Sequence, residues 1–383
     1  MTQTNTNTGT LTVARVLTPT GWKTSQTVTW CDGLIDGVRD ATPDECRTMH
    51  AGMLVPGYID TQVNGGGGVL LNQQPDVDGV RAIARAHAKF GTTRMLPTVI
   101  TDTADVMHRA ADAVADVVKE QNSTVAGIHF EGPFLSVDKK GVHSASFIRP
   151  PADRDVAVLM RKDIGRVLVT LAPEQTDPGF IRELVAEGVV VSLGHTNATY
   201  EQTCEALRAG ATGFTHLYNA MSAMTSRAPG VVGAALDDAA SYCGLIVDHH
   251  HVHPASARIA IHAKGISHMM LVTDAMAHVG SEITSMAFFD STIERHGDKL
   301  TTPNGTLAGS CLDMHTAVLN THHGLGIPLE DAITMASTVP ATFMNMQRES
   351  GSIAVGARAD LILLSPHNHQ IEQVRVCGRT HGD

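Results

Sequence analysis

Cysteine, aromatic side chains and positive charge are all scarce in this chain of 383 residues. The six cysteines include no C-x-x-C pair, which favours reduced thiols in a cytosol over a disulfide framework or a cysteine zinc site. Lys and Arg number 28 against 39 Asp and Glu, and the formal net charge is −11. Because nucleic-acid binding depends on basic residues that neutralise phosphates, this balance argues against a nucleic-acid partner.

Long hydrophobic runs are missing as well. No apolar stretch approaches the roughly 18–20 residues that cross a membrane, and Met1–Thr10 lacks the apolar region of a signal peptide. Disorder is excluded in turn by a hydrophobic content of 43% with only 17% charged residues. We therefore expect a soluble, cytoplasmic, globular protein with no membrane partner. The residue in clear excess is histidine, of which there are 21.

Short apolar runs alternate with helical patterns through the middle of the chain. The helical patterns include Val77–Ala88, whose apolar residues share one face, and Asp102–Gln121, with Thr101 or Asp102 as the expected N-cap. Eight strand-like runs separated by such patterns predict an α/β fold of the (β/α)8 TIM-barrel type. These runs are centred near Tyr58, Leu96, Ile128, Leu168, Val190, Phe214, Leu245 and Leu271.

Both ends of the chain are rich in strand patterns instead. We expect a small β-sandwich domain built from residues 1–53 and 347–383, and a barrel over residues 54–346 with a β-hairpin insertion near 280–309. The terminal strand patterns are Leu11–Leu17, Thr27–Trp30, Gly33–Val38, Gly351–Gly356, Ala359–Leu364 and Ile371–Cys377.

Polar residues cluster where several apolar runs of the barrel end. Glu131 closes the third run, and His195 and His216 follow the fifth and sixth. In a parallel barrel all strands finish on the one face where barrel enzymes place catalytic groups, so we expect these side chains to converge. One carboxylate and two imidazoles suit a catalytic zinc that keeps one position for water or substrate. Asp274, after the eighth run, is a candidate general base and general acid.

Two other patterns are weaker. A lone histidine at a strand end is more often a capping or core group than a ligand. The inference of a metal site therefore depends on the joint placement of Glu131, His195 and His216 at strand ends. The tract His249–His251, with His253 nearby, is interpreted as a polar loop that holds at most one functional imidazole. Gly65–Gly68 lacks the spacing of a phosphate-binding loop and predicts a glycine-lined turn that allows close backbone approach.

Specific motifs extend over essentially the whole chain. They are Pro56-Gly57-Tyr58-Ile59-Asp60 with Gln62-Val63-Asn64-Gly65, His129-Phe130-Glu131-Gly132-Pro133-Phe134, Lys139-Lys140-Gly141-Val142-His143, Leu193-Gly194-His195-Thr196, Thr215-His216-Leu217-Tyr218-Asn219-Ala220-Met221, Val272-Thr273-Asp274-Ala275 and Gly356-Ala357-Arg358-Ala359-Asp360. Together they resemble the N-acetylglucosamine-6-phosphate deacetylase family of the amidohydrolase superfamily.

The resemblance implies a distorted barrel and assigns roles to the site. It implies that Glu131, His195 and His216 hold one divalent metal per subunit, usually zinc, with iron or another divalent ion as alternatives. Asp274 would be the acid and base, and His143 would hydrogen-bond the acetyl carbonyl and stabilise the oxyanion.

The resemblance also implies how the substrate is held. The residues expected to bind the 6-phosphate are Asn219, the Ala220 backbone, Arg227 and His251. In the family the equivalent of Arg227 reaches the neighbouring subunit's site, which implies a homodimer.

Two features depart from related patterns. Many amidohydrolases carry His-x-His at the end of the first strand, where this chain has Gln62 and Asn64. Neutral amides are poor zinc ligands beside imidazole, so we predict a mononuclear site in which Gln62 and Asn64 face the substrate. His249 stands where the family's pattern has glycine, which leaves the loop before His251 in question.

The activity implied is hydrolysis of N-acetylglucosamine 6-phosphate to glucosamine 6-phosphate and acetate, in amino-sugar catabolism and recycling. One alternative is another amidohydrolase activity, such as a deaminase or cyclic-amide hydrolase. A further alternative is a barrel homologue without enzymatic activity. The deaminase type usually needs the His pair and often a carboxylated Lys, and no Lys stands at a predicted strand end here.

Overall fold

The structure is a computed structural model that describes residues 7–289 and 291–382. The first six residues of the polar segment Met1–Thr10 therefore lie outside the described residues. So do Asp290, within the predicted insertion, and Asp383.

Strands occur along the whole described chain. The amino-terminal ones are β1 (Gly9–Thr18), β2 (Gly21–Cys31), β3 (Leu34–Asp40) and β4 (His50–Pro56). The central ones are β5 (Tyr58–Val63), β6 (Gly65–Gly66), β7 (Val69–Leu70), β8 (Thr92–Ile100), β9 (Gly127–Glu131), β10 (Arg166–Leu171), β11 (Val190–Leu193), β12 (Gly213–Phe214), β13 (Tyr242–Leu245) and β14 (Met269–Leu271). The last are β15 (Ser285–Phe288), β16 (Ser291–His296), β17 (Lys299–Thr301), β18 (Leu361–Leu364), β19 (Ile371–Val376) and β20 (Arg379–Thr380).

Helices lie between the central strands and in the segment that follows β17. They are α1 (Val77–Ala88), α2 (Ala104–Val117), α3 (Asp153–Leu159), α4 (Pro178–Ala186), α5 (Tyr200–Arg208), α6 (Gly230–Asp237), α7 (Pro254–Lys264), α8 (Met314–Leu319), α9 (Leu329–Ala336) and α10 (Thr338–Phe343). Of these, α1 to α7 lie between the central strands, and α8 to α10 follow β17 and precede β18. A π-helical turn, Asn320–Gly324, continues α8. Among the described residues, no helix combines the length and the apolar character that a membrane span requires.

The eight predicted barrel strands form one parallel sheet in the order β14-β13-β12-β11-β10-β9-β8-β5. Its two edges meet at a parallel bridge between Val63 and Ala275, next to a hydrogen bond of 3.0 Å from Asp274 N to Gln62 O. The sheet is thus nearly closed, and the predicted barrel is confirmed. Because all strands are parallel, the residues that follow them gather at one end.

The predicted α2 begins and ends at different residues from those expected. Thr103 is the N-cap, and its side chain accepts a hydrogen bond from Val106 N. Asp102 points elsewhere, because its Oδ1 accepts from Thr103 N at 2.7 Å. The helix stops at Val117 instead of continuing to Gln121, and the chain then turns at Asn122, whose φ is 65°.

The terminal strands form a second sheet in the order β20-β19-β18-β4-β1-β2-β3, which we call the terminal sheet. All seven strands are hydrogen-bonded into one sheet, and a bridge between Leu34 and Arg358 joins its β3 edge to the segment before β18. The terminal sheet has its own apolar cluster, which includes Val13, Val28, Trp30 and Leu361. β4 stays in this sheet through Pro56, so a division of the chain at residue 54 cuts one strand, and the domain boundaries stay a prediction.

The prediction of a strand over Gly351–Gly356 was wrong. Gly351–Gly356 forms bends and turns, because Gly351 and Gly356 take φ values of 86° and 90° that an extended strand does not allow. The segment still contributes buried Ile353 to the apolar cluster of the terminal sheet.

The predicted turn and insertion lie beside the barrel's carboxyl end. The predicted glycine-lined turn is confirmed, because Gly65–Gly68 turns between β6 and β7 and a Cβ on Gly65 would lie 2.4 Å from Val69 O. Within 280–309, β15, β16 and β17 form a three-stranded antiparallel sheet. Its buried Phe288 and Ile293 pack in one cluster with Ile100 and Met276 at the end of the barrel.

Candidate active site

Three strand ends bring one carboxylate and two imidazoles together. Glu131 is the last residue of β9, and His195 and His216 lie two residues beyond β11 and β12. His216 Nε2 lies 3.1 Å from Glu131 Oε1 and 3.0 Å from His195 Nε2. His195 Nε2 lies 3.3 Å from Glu131 Oε1. The three predicted ligands therefore form a triangle of nearly equal sides.

This triangle has the dimensions of a metal site. Zinc bonds of about 2.0–2.2 Å in tetrahedral geometry hold the donor atoms roughly 3.3–3.5 Å apart. His195 Nδ1 lies 2.9 Å from Lys139 O, and because a carbonyl only accepts, Nδ1 carries the proton and Nε2 keeps its lone pair. All three side chains are buried. The residues present thus fit one divalent metal ion with nitrogen and oxygen ligands.

The backbone at this end of the barrel is strained. His195, His216 and Asp274 have φ values of 48°, 35° and 53°, in the left-handed region that non-glycine residues rarely adopt. Such conformations persist only when surrounding contacts hold them, and they gather at functional sites. Residue spacing in the sequence gave no signal of this strain.

Charge in the triangle is balanced locally. Burial alone would raise the pKa of Glu131, but the neighbouring His195 and His216 rings, whose Nε2 atoms lie 3.3 and 3.1 Å from Oε1, outweigh it and hold the pKa well below its usual range. Burial alone would lower the pKa of His216, but the hydrogen bond and the charge of the neighbouring Glu131 carboxylate outweigh burial and raise it. The carboxylate is therefore ionised, as a metal ligand must be.

Asp274 lies beside the triangle and is held by two amides. Asn64 Nδ2 donates to Asp274 Oδ1 at 2.7 Å, and Gln62 Nε2 donates to the same oxygen at 3.2 Å. Gln62 Nε2 also lies 2.9 Å from Glu131 Oε1. Burial and the nearby charge of Glu131 raise the pKa of Asp274 to about 6. A carboxyl group with such a pKa can both take up and release a proton near neutral pH.

His143 reaches the site from the loop that follows β9. Its Nε2 lies 3.8 Å from Glu131 Oε2, and its Nδ1 lies 2.9 Å from Thr101 Oγ1. Burial and the neighbouring His195 lower the pKa of His143 to about 3, so the ring is neutral. Thr101 Oγ1 is also 3.0 Å from Glu131 O, which gives this hydroxyl two partners.

A cavity of about 350 Å³ opens above these groups. Volumes of this order hold small metabolites, and polar groups within them set the orientation of the ligand. The predicted site residues that line it are Asn64, Glu131, His143, His195, His216, Asn219, Ala220, His251 and Asp274. Gln62, predicted to face the substrate, is not among the described residues that line the cavity; its Nε2 contacts Glu131 and Asp274 instead.

The predicted phosphate-binding residues divide into two groups. Asn219, Ala220 and His251 line the cavity, and Asp248 Oδ2 lies 2.6 Å from His251 Nδ1, which leaves Nε2 for a ligand. Arg227 is exposed on the segment before α6 and does not line this cavity of the described chain.

His249 lies in the loop that leads to His251, and its backbone conformation is unusual there. It takes a φ of 66°, a conformation that suits the glycine expected at this position. The tract His249–His251 lies in a loop beyond β13, as predicted.

Sequence reasoning missed one wall of the cavity. Phe288, Thr306 and Leu307 from the insertion line it, together with Met276 and Ile100. The only available signal was the apolar character of a segment inserted directly after the eighth strand. Thr101 was missed as a partner of His143 because it was considered only as a helix cap.

Comparisons with known proteins agree with this arrangement. Residues 53–379 match the family model described as the amidohydrolase family. An N-acetylgalactosamine-6-phosphate deacetylase from Shewanella sp. (strain ANA-3) is 46% identical over 357 residues, which cover 92% of this chain and 90% of that protein. An N-acetylglucosamine-6-phosphate deacetylase from Haemophilus influenzae is 35% identical and covers 86% of this chain and 87% of that protein. The crystal structure of N-acetylglucosamine-6-phosphate deacetylase from Pasteurella multocida superposes with a TM-score of 0.92 at 33% identity, covering 97% of this chain and 99% of that one.

Proposed function

The chain belongs to the amidohydrolase family, and from this membership and the geometry of the site we propose that it hydrolyses the N-acetyl group of N-acetylglucosamine 6-phosphate. The products are glucosamine 6-phosphate and acetate. The observation that carries the proposal is the triangle of Glu131, His195 and His216 beside Asp274, inside a cavity of sufficient size.

One divalent ion, for which zinc is the proposed identity, would be held by Glu131, His195 and His216. When bound, such an ion lowers the pKa of a coordinated water and polarises a carbonyl oxygen. Gln62 and Asn64 donate their amide hydrogens to carboxylate oxygens, so they are already engaged and do not offer a second ion a ligand pair. The proposed site is therefore mononuclear.

Asp274 transfers the protons of the reaction. Two amides donate to Oδ1, so Oδ2 is the oxygen that takes the proton from the attacking water. The same oxygen then delivers that proton to the nitrogen of the substrate, because an amide anion is too basic to leave without one. A carboxyl pKa near 6 suits both steps.

His143 orients the acetyl group through Nε2. A neutral ring donates from Nε2 only when Nδ1 accepts, and the group that can donate to Nδ1 is the Thr101 hydroxyl at 2.9 Å. We therefore assign Thr101 the role of a positioning residue: its hydroxyl turns from Glu131 O to His143 Nδ1 and fixes the tautomer that stabilises the oxyanion.

Asn219, the Ala220 backbone and His251 are the proposed contacts of the 6-phosphate within one chain. Arg227 is proposed to complete this site in the neighbouring subunit of a cytoplasmic homodimer, which accords with its exposed position. Its guanidinium would meet a phosphate through two hydrogen bonds.

N-acetylgalactosamine 6-phosphate is a second candidate substrate. It is favoured by the relative from Shewanella, which is named for that substrate and is 46% identical to this chain. The two sugars differ only in the orientation of one hydroxyl group, so the same acetamide and phosphate contacts serve both.

Acetate release tests the proposal directly. Zinc-loaded protein is incubated with each of the two 6-phosphates, and with N-acetylglucosamine and N-acetylgalactosamine that carry no phosphate. We expect acetate from at least one 6-phosphate and a far lower rate from the unphosphorylated sugars. No acetate from either 6-phosphate would overturn the proposal, and equal rates with and without phosphate would overturn the phosphate site.

A further inference from the structure

A second cluster of metal-ligating side chains lies outside the active site. His322 and His323 belong to the π-helical turn after α8, and His369 lies in the connection between β18 and β19. One nitrogen of each ring lies within 4.8 Å of the other two. None of the three residues lines the catalytic cavity of the described chain. The cluster therefore joins a turn of the barrel's helical layer to the terminal sheet.

Two of the rings have nitrogens available for a ligand. His322 Nδ1 lies 2.8 Å from Ile327 O, so Nδ1 carries a proton and Nε2 keeps its lone pair. His369 Nδ1 is shielded from solvent and has no hydrogen-bond partner among the described residues. Buried polar nitrogens are nearly always paired, so this atom needs an explanation.

His369 is packed against the other two rings of the cluster. Its ring centroid lies 5.5 Å from that of His322 and 5.9 Å from that of His323. Its φ of 58° lies in the strained left-handed region, as at His195 and His216. The positive charge of nearby Arg15 opposes a bound cation, and this limits the affinity.

We propose that His322, His323 and His369 form a second metal site, which takes one divalent transition-metal ion such as Zn²⁺ or Ni²⁺. Imidazoles without a carboxylate suit these ions and not Mg²⁺ or Ca²⁺, which prefer oxygen. A tetrahedral site holds its donor atoms roughly 3.3–3.5 Å apart, and the three nitrogens lie within 4.8 Å of one another. His323 is exposed, so its ring can turn to close the site without movement of the core.

Zinc stoichiometry tests the site. Metal-free protein is titrated with Zn²⁺ against a chromophoric chelator, for the wild type and for His323→Ala and His369→Asn. Asn is chosen because it tolerates a positive φ better than most residues. We expect two ions per chain in the wild type and one in each variant. The proposal is overturned if either variant binds as many ions as the wild type.

A matched control separates this site from a second ion in the active site. His367 is exposed in the same connection but outside the cluster, so His367→Ala should keep both ions. Deacetylation rates should stay within about twofold of the wild type in all three variants, since none of these residues touches the catalytic cavity.

A spectroscopic measurement identifies the ligands. Cu²⁺ added to protein whose active site already holds zinc should give an electron paramagnetic resonance spectrum with nitrogen splitting. The splitting should disappear in His369→Asn and persist in His367→Ala. Zinc should also raise the melting temperature of the wild type more than that of His369→Asn, because an ion that binds only the folded chain stabilises it. A nitrogen signal unchanged by His369→Asn would contradict the assignment.

Discussion

The catalytic end of the barrel and the terminal sheet bury their residues in different ways. At the catalytic end, Glu131 and His216 are buried charged or polar groups, and His216 and Asp274 lie in left-handed backbone. In the terminal sheet most buried side chains are apolar, such as Val28 and Leu361, although Gln26 and Thr27 of β2 are buried as well. They lie on extended strands whose pairing is interrupted by bulges at Thr29/Trp30 and Leu363/Leu364. Left-handed residues occur there too, at Asp32 in the turn between β2 and β3 and at Ser25 within β2.

The difference indicates which region stabilises the fold and which region carries the chemistry. Strained backbone and buried charge each cost free energy, and they persist because the surrounding structure holds them in place. Leu361 faces Pro56 across β18 and β4, and the chain continues from there into the first barrel strand. We expect the terminal sheet to contribute stability and the catalytic end to contribute chemistry, with little overlap between the two effects.

The largest effect should follow from the Asp274→Asn substitution. Asn keeps the shape and the hydrogen bond to Asn64 but cannot take up the proton, so kcat should fall about 10³-fold. Zinc content and unfolding midpoint should match the wild type. Turnover close to normal in a folded, metal-loaded Asp274→Asn protein would refute the acid and base assignment.

The opposite pattern is expected for Leu361→Ala in the terminal sheet. Leu361 is fully buried, so its truncation should lower the free energy of unfolding by about 2–5 kcal/mol, while kcat per folded molecule is kept. Denaturant unfolding and active-site titration measure the two quantities. Val355→Ala is the matched control, since Val355 is 68% exposed and should change stability by less than about 0.5 kcal/mol. A parallel loss of kcat in the folded Leu361→Ala protein would show that the two regions are coupled.

Thr101→Val should have a smaller effect on catalysis alone. The variant removes the hydroxyl that lies between His143 Nδ1 and Glu131 O and keeps the side-chain volume. Without that partner the His143 tautomer is no longer fixed, and kcat should fall about tenfold with zinc content and KM nearly unchanged. Thr103→Val is the control: it removes the hydroxyl that caps α2 and should lower stability with no change in kcat. If Thr101→Val raises KM at constant kcat, the hydroxyl contributes to binding and not to positioning.

Much of this contrast could be predicted from the sequence, because it depends on position along strands. The placement of Glu131, His195 and His216 after barrel strands was enough to predict that they converge, since parallel strands end on one face. The terminal sheet could be predicted from its alternating residues. Two local predictions failed because neighbouring residues compete for the same role or conformation. Thr103 caps α2 in place of Thr101 or Asp102. Gly351 and Gly356 make turns in a segment whose apolar pattern resembles a strand.

The remaining features depend on contacts between distant segments. Thr101 meets His143 and Phe288 reaches the cavity only after the barrel closes, and no local pattern contains that information. The positive φ of His195 is likewise imposed by its surroundings, because histidine has no preference that would signal it. His249 differs in one respect: it stands where the family's pattern has glycine, which raised a question about this loop, and the structure gives the residue a φ of 66°.

His249→Gly should have the smallest effect, on stability alone. The residue is exposed and has a φ of 66°, so glycine removes the strain of a Cβ in this conformation and should raise the free energy of unfolding by about 0.5–1 kcal/mol. His249→Ala is the matched control, because it removes the ring contact with Gly324 but keeps the Cβ, and it should bring no gain. Denaturant unfolding of the metal-free proteins measures both. If alanine stabilises as much as glycine, the ring and not the backbone is the source of the strain. If neither variant gains, contacts elsewhere in the loop compensate for the conformation, and His249 contributes no net backbone strain to the catalytic end.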